Sequence, residues 1–214
     1  MADIFREVDE DVRRDRYLLL WRRYRWLVVG AAVGVVALTA AAVGWRSLEA
    51  ARRMEQGARF EAAALLAESG RYQDAARAFA ALAEDTSTGY AELARLREAA
   101  MLAAAGDRAG AIAVYDRLAG SSAGESLVGD LARLLAALHL LDDGALDDAR
   151  ARLAPISGGA GPWRHFAREL EGLAAWQAGR ADEAREILST LVEEAGVPAG
   201  VRDRASEMLA AIGG

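Results

Sequence analysis

The sequence contains no cysteine, no lysine and only two histidines among its 214 residues. Without cysteine the chain can form no disulfide, no thiolate nucleophile and no cysteine-ligated metal site, and this absence fits either redox compartment. All 26 basic residues are arginine, which is typical of codon usage in a GC-rich genome and has no chemical meaning of its own. The formal net charge is −6, so the chain as a whole is acidic.

Charge is distributed unevenly along the chain. Residues 1–25 contain seven arginines and six acidic residues, a net charge of +1. Residues 46–214 contain nineteen arginines and twenty-six acidic residues, a net charge of −7. A domain with this acidic excess argues against nucleic acid as a partner.

One long apolar run dominates the N-terminal quarter of the chain. It reads WLVVGAAVGVVALTAAAVGW from Trp26 to Trp45, contains no charged residue and has nothing more polar than Thr39. Twenty helical residues span about 30 Å, the thickness of the hydrocarbon core of a bilayer. Tryptophan at each end is typical of the headgroup region. The run therefore predicts a transmembrane helix at residues 26–45.

Arginines are more numerous before this run than after it. Six precede it and three follow it within a similar distance. The six are Arg13, Arg14, Arg16, Arg22, Arg23 and Arg25, and the three are Arg46, Arg52 and Arg53. Because basic residues are retained on the cytoplasmic side, this imbalance predicts a cytoplasmic tail at residues 1–25 and an external domain at residues 46–214.

Two other interpretations of the apolar run remain open. A buried core helix of this length without a polar face is unusual in so small a protein. A cleaved signal peptide has a shorter apolar segment of about 7–15 residues that ends in small residues, and the three alanines at 40–42 resemble such a site. The greater length of the run and its ending at Trp45 and Arg46 favour an uncleaved anchor.

Gly30 and Gly34 form a G-x-x-x-G pair inside the run. Small residues at this spacing let the backbone of another helix approach closely. The pair predicts a helix–helix contact in the membrane and leaves a homo-oligomer open, although glycine and alanine are common throughout this chain.

Four segments after the apolar run align without gaps. They are GRYQDAARAFAAL, GDRAGAIAVYDRL, GALDDARARLAPI and GRADEAREILSTL, which begin at Gly70, Gly106, Gly144 and Gly179. Each has alanine five residues after the glycine and a large residue at nine. The alanines are Ala75, Ala111, Ala149 and Ala184, and the large residues are Phe79, Tyr115, Leu153 and Leu188. The glycines recur every 35–38 residues, which indicates a helical repeat.

The half-repeat before each glycine is also regular. An arginine stands eleven residues before the glycine, and a small residue follows that arginine by four. The arginines are Arg59, Arg95, Arg133 and Arg168, and the small residues are Ala63, Ala99, Ala137 and Gly172. Each unit is therefore predicted to be a helix, a tight glycine turn and a second helix, and the small residues allow the two helices to cross closely.

This pattern resembles the tetratricopeptide repeat, a helical hairpin of about 34 residues with the same small–Gly–Ala–aromatic spacing. The resemblance extends from Met54 to about Glu194 and departs from the family where arginine replaces the common tryptophan of the first helix. Residues 198–212 are predicted to form a capping helix over the last repeat. The predicted fold is all-α: a single N-terminal transmembrane helix followed by a tetratricopeptide-like α-solenoid.

The repeated arginines have two interpretations. As a ladder on the inner face of the superhelix, Arg59, Arg95, Arg133 and Arg168 would form a partner-binding surface for carboxylates or backbone carbonyls. Alternatively, each arginine pairs with an acidic residue of an adjoining helix, as Arg95 would with Glu98. The second interpretation is favoured.

No group of residues predicts catalysis, a metal site or a cofactor. His139 and His165 lie in different repeats, and Asp142 and Asp143 fit the turn before Gly144. The sequence therefore predicts a binding protein and not an enzyme.

The opening IFREVDEDVRRDRYLLLWRRYRWLVVG, the single anchor and the external repeats together resemble the YfgM-type family of ancillary SecYEG translocon subunits. The resemblance implies a bacterial inner-membrane protein whose C-terminal domain lies in the periplasm. It implies that the protein binds the SecYEG translocon and a PpiD-type chaperone and assists newly secreted proteins. Since such repeats serve many functions, an anchored scaffold for another envelope complex remains the alternative.

Overall fold

The structure is a computed structural model that describes residues 2–85, 89–121 and 127–213. Within these ranges the chain forms nine α-helices and no strand. The helices are α1 Ala2–Glu68, α2 Tyr72–Asp85, α3 Gly89–Ala104, α4 Arg108–Ser121, α5 Leu127–Asp142, α6 Leu146–Ser157, α7 Arg164–Gln177, α8 Ala181–Glu193 and α9 Ala199–Gly213. The chain divides into two compact units, Met1–Glu55 and Gln56–Gly214.

The first unit is helical and contains the apolar run. By length and composition, one helical stretch of the described chain, Arg23–Glu68, is able to cross a membrane. The most apolar segment of this stretch is not buried in the structure. The hydroxyl of Thr39 donates a hydrogen bond to the carbonyl oxygen of Val35 at 2.8 Å, so it is satisfied without water. The Arg25 guanidinium lies 5.6 Å from the ring centroid of Trp26. The boundaries predicted at residues 25 and 45 remain predictions.

Each of the four aligned glycines ends a helix in the left-handed conformation. At the first turn, Gly70 N–H donates to Ala67 O and Arg71 N–H donates to Leu66 O, both at 3.0 Å. These are the two bonds of a Schellman motif, and they satisfy carbonyls at the end of α1. The φ angles are +78° at Gly70, +89° at Gly106, +75° at Gly144 and +75° at Gly179. The same bond pattern recurs at all four turns.

Small residues form the contact between the two helices of each hairpin. The repeat alanines are fully buried on both sides of this contact: Ala63, Ala75, Ala99, Ala111, Ala137, Ala149 and Ala184. In the fourth hairpin, a Cβ added to Gly172 would lie 2.8 Å from Leu188 Cδ2. A larger residue at these positions would therefore force the helices apart.

Large residues at the ninth position of each segment fill the space around these contacts. Phe79, Tyr115, Leu153 and Leu188 are all at most 2 % exposed. In the first hairpin the Phe79 ring packs edge-on against Phe60 with centroids 5.1 Å apart. Neighbouring hydrophobic cores join through shared side chains. Ile112, for example, packs against the core that contains Tyr115 and against the core that contains Leu153.

The predicted α-solenoid of four hairpins and a cap is confirmed. The end of α1 pairs with α2, then α3 with α4, α5 with α6, and α7 with α8. The cap is α9, whose Val201 and Ala205 are buried in one core with Leu188 and Leu191 of α8. It begins one residue after the predicted start at Pro198.

Ala111→Leu is expected to lower the free energy of unfolding by about 1–3 kcal/mol, because the added atoms have no space at the α3–α4 contact. Ala113→Leu is the matched control, since Ala113 is exposed two residues away on the same helix. Denaturant unfolding monitored by circular dichroism measures both. Equal stability of the two variants would contradict the repeat alignment.

Gly106→Ala is expected to destabilise the protein by about 1 kcal/mol, because a side chain at φ +89° is strained. Gly120→Ala should instead be neutral or stabilising, since Gly120 is helical and a Cβ there would meet no atom within 4 Å. Thermal melts of both variants check this opposite sign. Stabilisation by Gly106→Ala would exclude the turn geometry described above.

Candidate partner-binding surface

In the C-terminal half of the second unit, the first helices of successive hairpins and the capping helix approach one another along one side. Helix α5 packs against α7, and α7 packs against α9. In the described chain no packing of comparable extent joins the second helices α4, α6 and α8 to one another. Because elements on the inside of a curved array lie closer together, α5, α7 and α9 form the inner face of this part of the repeats.

An open apolar groove lies between α7 and the capping helix. It has a volume of about 370 Å³. Helix α7 contributes Glu169, Leu170, Leu173 and Trp176, and α9 contributes Arg204, Glu207, Met208 and Ala211. On each helix these residues recur at spacings of three and four, so one face of α7 meets one face of α9. Trp176 is among the exposed large side chains of the unit.

An ion pair closes one side of the groove. Arg204 Nε donates to Glu169 Oε1 at 2.5 Å, and Arg204 Nη2 donates to Glu169 Oε2 at 2.7 Å. Glu169 is buried, and the hydrogen bond to it raises the pKa of Arg204. Two further acidic residues, Asp203 and Glu207, act on the same guanidinium. The groove therefore combines apolar walls with an acidic excess at its rim.

Three of the four repeated arginines make ion pairs inside the chain. The pairs are Arg59–Asp85 at 2.9 Å, Arg133–Asp130 at 2.8 Å and Arg168–Glu194 at 2.8 Å. Arg133 and Arg168 also donate to the carbonyl oxygens of Ala119 and Ser157, which lie near the ends of second helices. Arg95 instead lines a cavity between α2, α3 and α4. That these arginines bind a partner remains a prediction.

The two histidines lie in packed surroundings. The His139 ring stacks on Tyr115 with centroids 6.0 Å apart. His165 is buried, its Nε2 accepts a hydrogen bond from Arg164 Nε at 3.1 Å, and burial followed by the charge of Arg164 lowers its pKa. Among residues 2–85, 89–121 and 127–213 no three acidic or histidine side chains converge on a point where a metal ion would fit.

The G-x-x-x-G pair offers an open helix surface. A Cβ added to Gly30 or Gly34 would meet no atom within 4 Å. The contact predicted for this surface stays a prediction.

The comparisons with known proteins agree with this geometry. Residues 20–196 match the family described as the tetratricopeptide repeat-like domain. The chain therefore belongs to this family, whose repeats typically act as non-enzymatic scaffolds for protein interactions. A search of curated proteins found no match.

Two solved structures share the fold. Both contain the nearly identical tetratricopeptide-like repeats of a protein described as a kinesin light chain from Podosopora anserina, one of them as a variant with a single substitution. Each is 16 % identical to this chain and covers 72 % of it and 83 % of its own length, with TM-scores of 0.56 and 0.57 for the unsubstituted and substituted forms. At this identity the likeness shows the fold alone.

Arg204→Met is expected to destabilise the second unit by about 1–3 kcal/mol, because the buried Glu169 carboxylate would lose its charged partner. Adding Glu169→Gln should recover part of that loss. Arg77→Met is the control, since Arg77 is exposed on α2 and pairs with the partly exposed Asp74. Denaturant unfolding of the double-mutant cycle measures the coupling, and additive effects would contradict it.

Proposed function

We propose that this protein is an ancillary subunit of the bacterial SecYEG translocon, anchored in the inner membrane, which holds a PpiD-type chaperone near newly secreted chains. The observation that carries the proposal is the combination of one N-terminal apolar helix with a repeat array that ends in an open groove. The array supplies a surface for protein partners and the apolar helix supplies the tether.

The charge distribution supports the proposed orientation. Close to the apolar run, six arginines precede it and three follow it, so the repeats would lie in the periplasm. A tether of this kind raises the local concentration of the repeats beside other membrane proteins. The open surface at Gly30 and Gly34 supports a contact with another transmembrane helix.

The groove between α7 and α9 supports binding of a folded or extended protein segment. Leu173, Trp176 and Met208 provide apolar surface, and an exposed tryptophan beside a groove is a typical anchor in protein interfaces. The acidic excess around Arg204 favours a partner segment that carries basic residues. The groove lies at the end of the array farthest along the chain from the anchor, so two partners could be held at once.

Site-specific photo-crosslinking of the full-length protein in native membranes tests the proposal. Crosslinkers at positions 30 and 34 are expected to capture translocon subunits, and crosslinkers at 176 and 208 the chaperone. Positions 59, 133 and 168 test the arginines, and the exposed position 113 on α4 is the control. Capture of only an unrelated complex would exclude the translocon and favour the scaffold alternative.

Trp176→Ala is expected to reduce recovery of the chaperone by about tenfold or more after purification in mild detergent, because it removes an anchor side chain. Leu127→Ala removes another exposed apolar side chain away from the groove and should leave recovery unchanged. A melting temperature close to that of the wild type shows that the Trp176→Ala variant is folded. Wild-type recovery with that variant would exclude the groove as the binding site.

A further inference from the structure

A second cavity lies between the second helices of the first two hairpins. It has a volume of about 320 Å³ and contains no residue of the α7–α9 groove. Helix α2 contributes Ala80, Ala83 and Glu84, α3 contributes Arg95 and Glu98, and α4 contributes Val114 and Arg117. Four charged side chains from three helices therefore surround one small space.

Ion pairs connect the second helices of the later hairpins, whereas no such ion pair crosses this cavity in the described chain. Arg152 of α6 reaches Asp116 of α4 at 2.9 Å, and Arg150 of α6 reaches Glu183 of α8 at 2.5 Å. No ion pair joins α2 to α4 among the residues that the structure describes. The charged cavity therefore lies beside the α2–α3 contact, and no ion pair between the described residues of α2 and α4 crosses it.

Arg95 differs from the other repeated arginines. Arg59 and Arg168 each pair with an acidic residue 26 positions later, whereas the residue 26 positions after Arg95 is Ser121. Within the described part of the chain, Arg95 makes no ion pair within 4.0 Å, and neither does Arg117. Two guanidinium groups with unused donors therefore line the cavity.

The two acidic side chains of the cavity balance the charge of the two arginines only while both carboxyl groups are ionised. Burial raises the pKa of Glu98, and the charge of Glu84 on α2 acts in the same direction. The opposing attraction of Arg117 on α4 and Arg95 on α3 is smaller than the effect of burial. When Glu98 is protonated, two arginines face a single carboxylate, and the protonated group can itself donate a hydrogen bond.

We propose that this cavity is a binding site for a polypeptide carboxylate, held by the guanidinium groups of Arg95 and Arg117. The planar forks of arginine match a carboxylate, and Ala80, Ala83 and Val114 provide room for a short aliphatic stem beside it. The carboxylate belongs either to an acidic side chain or to a chain terminus. The site is independent of the proposed groove between α7 and α9.

Titration calorimetry of the full-length protein in neutral detergent tests the site with three peptides. Acetyl-trialanine carries a terminal carboxylate, acetyl-Ala-Glu-Ala amide carries a side-chain carboxylate, and acetyl-trialanine amide carries neither. Binding of at least one acid and not of the neutral amide is expected, and the tighter acid identifies the source. Equal binding of the neutral peptide, or binding of no acid, would overturn the proposal.

Arg95→Gln and Arg117→Gln are each expected to weaken binding of the acid about tenfold, because each removes a charged donor. Arg97→Gln is the matched control, since Arg97 is exposed on α3 and does not line the cavity. An equal loss in the control, or wild-type affinity in the Arg95→Gln/Arg117→Gln variant, would overturn the site. Trp176→Ala should leave binding unchanged, which separates this test from that of the proposed function.

The pH dependence of the affinity is a further test, because residues with a purely structural role would not make the affinity depend on pH. Wild-type affinity is expected to rise as pH falls from neutral toward the raised pKa of Glu98, because protonation of Glu98 removes a negative charge beside the bound carboxylate. Glu98→Gln should bind at pH 8 at least as tightly as the wild type and lose most of this dependence. An unchanged pH profile in Glu98→Gln would exclude Glu98 from the site.

Discussion

Close contact between helices through alanine is the constraint on which the repeat unit depends. Two helices joined by a single glycine turn have little freedom in their separation, so the residues between them must be small. Ala75 and its equivalents meet this requirement but bury little apolar surface. The hydrophobic stabilisation comes instead from larger side chains such as Phe79 and Leu188, which lie beside the contact and link neighbouring hairpins.

Ion pairs add a second, weaker connection along the outer helices. The pairs Arg152–Asp116 and Arg150–Glu183 cross between hairpins, but their side chains are partly exposed, so each contributes little to stability. Arg152 donates through both Nε and Nη2 to the two carboxylate oxygens of Asp116, and this bidentate geometry restricts how α6 lies against α4. Around Arg95 no such ion pair joins α2 to α4 among the described residues, and the packing of α3 against both helices connects the two hairpins there.

Much of the fold could be predicted because its requirements act at single positions. A left-handed turn requires glycine and a close contact requires alanine, so Gly106 and Ala111 carry their structural meaning in their identity alone. The groove could not be predicted, since Trp176 and Met208 come together only through the packing of α9 on α7 and α8. The arginines show the same limit, because their partners lie at different sequence separations in different hairpins. Pro155 is also unexpected inside α6, where it lies in the last turn and leaves most of the helical hydrogen bonds intact.

The turns within hairpins and the connections between them have different tolerances for length. Every hairpin turn occupies the same short span around its glycine, whereas the connections at 86–88, 122–126, 158–163 and 194–198 differ in length. The longest period, 38 residues from Gly106 to Gly144, contains a connection two residues longer than that of the 36-residue period. The shortest period, 35 residues from Gly144 to Gly179, instead contains the shorter helices α6 and α7. Insertions at these connections would alter the outline of the array without changing its cores, so the architecture can accept new surface loops one hairpin at a time.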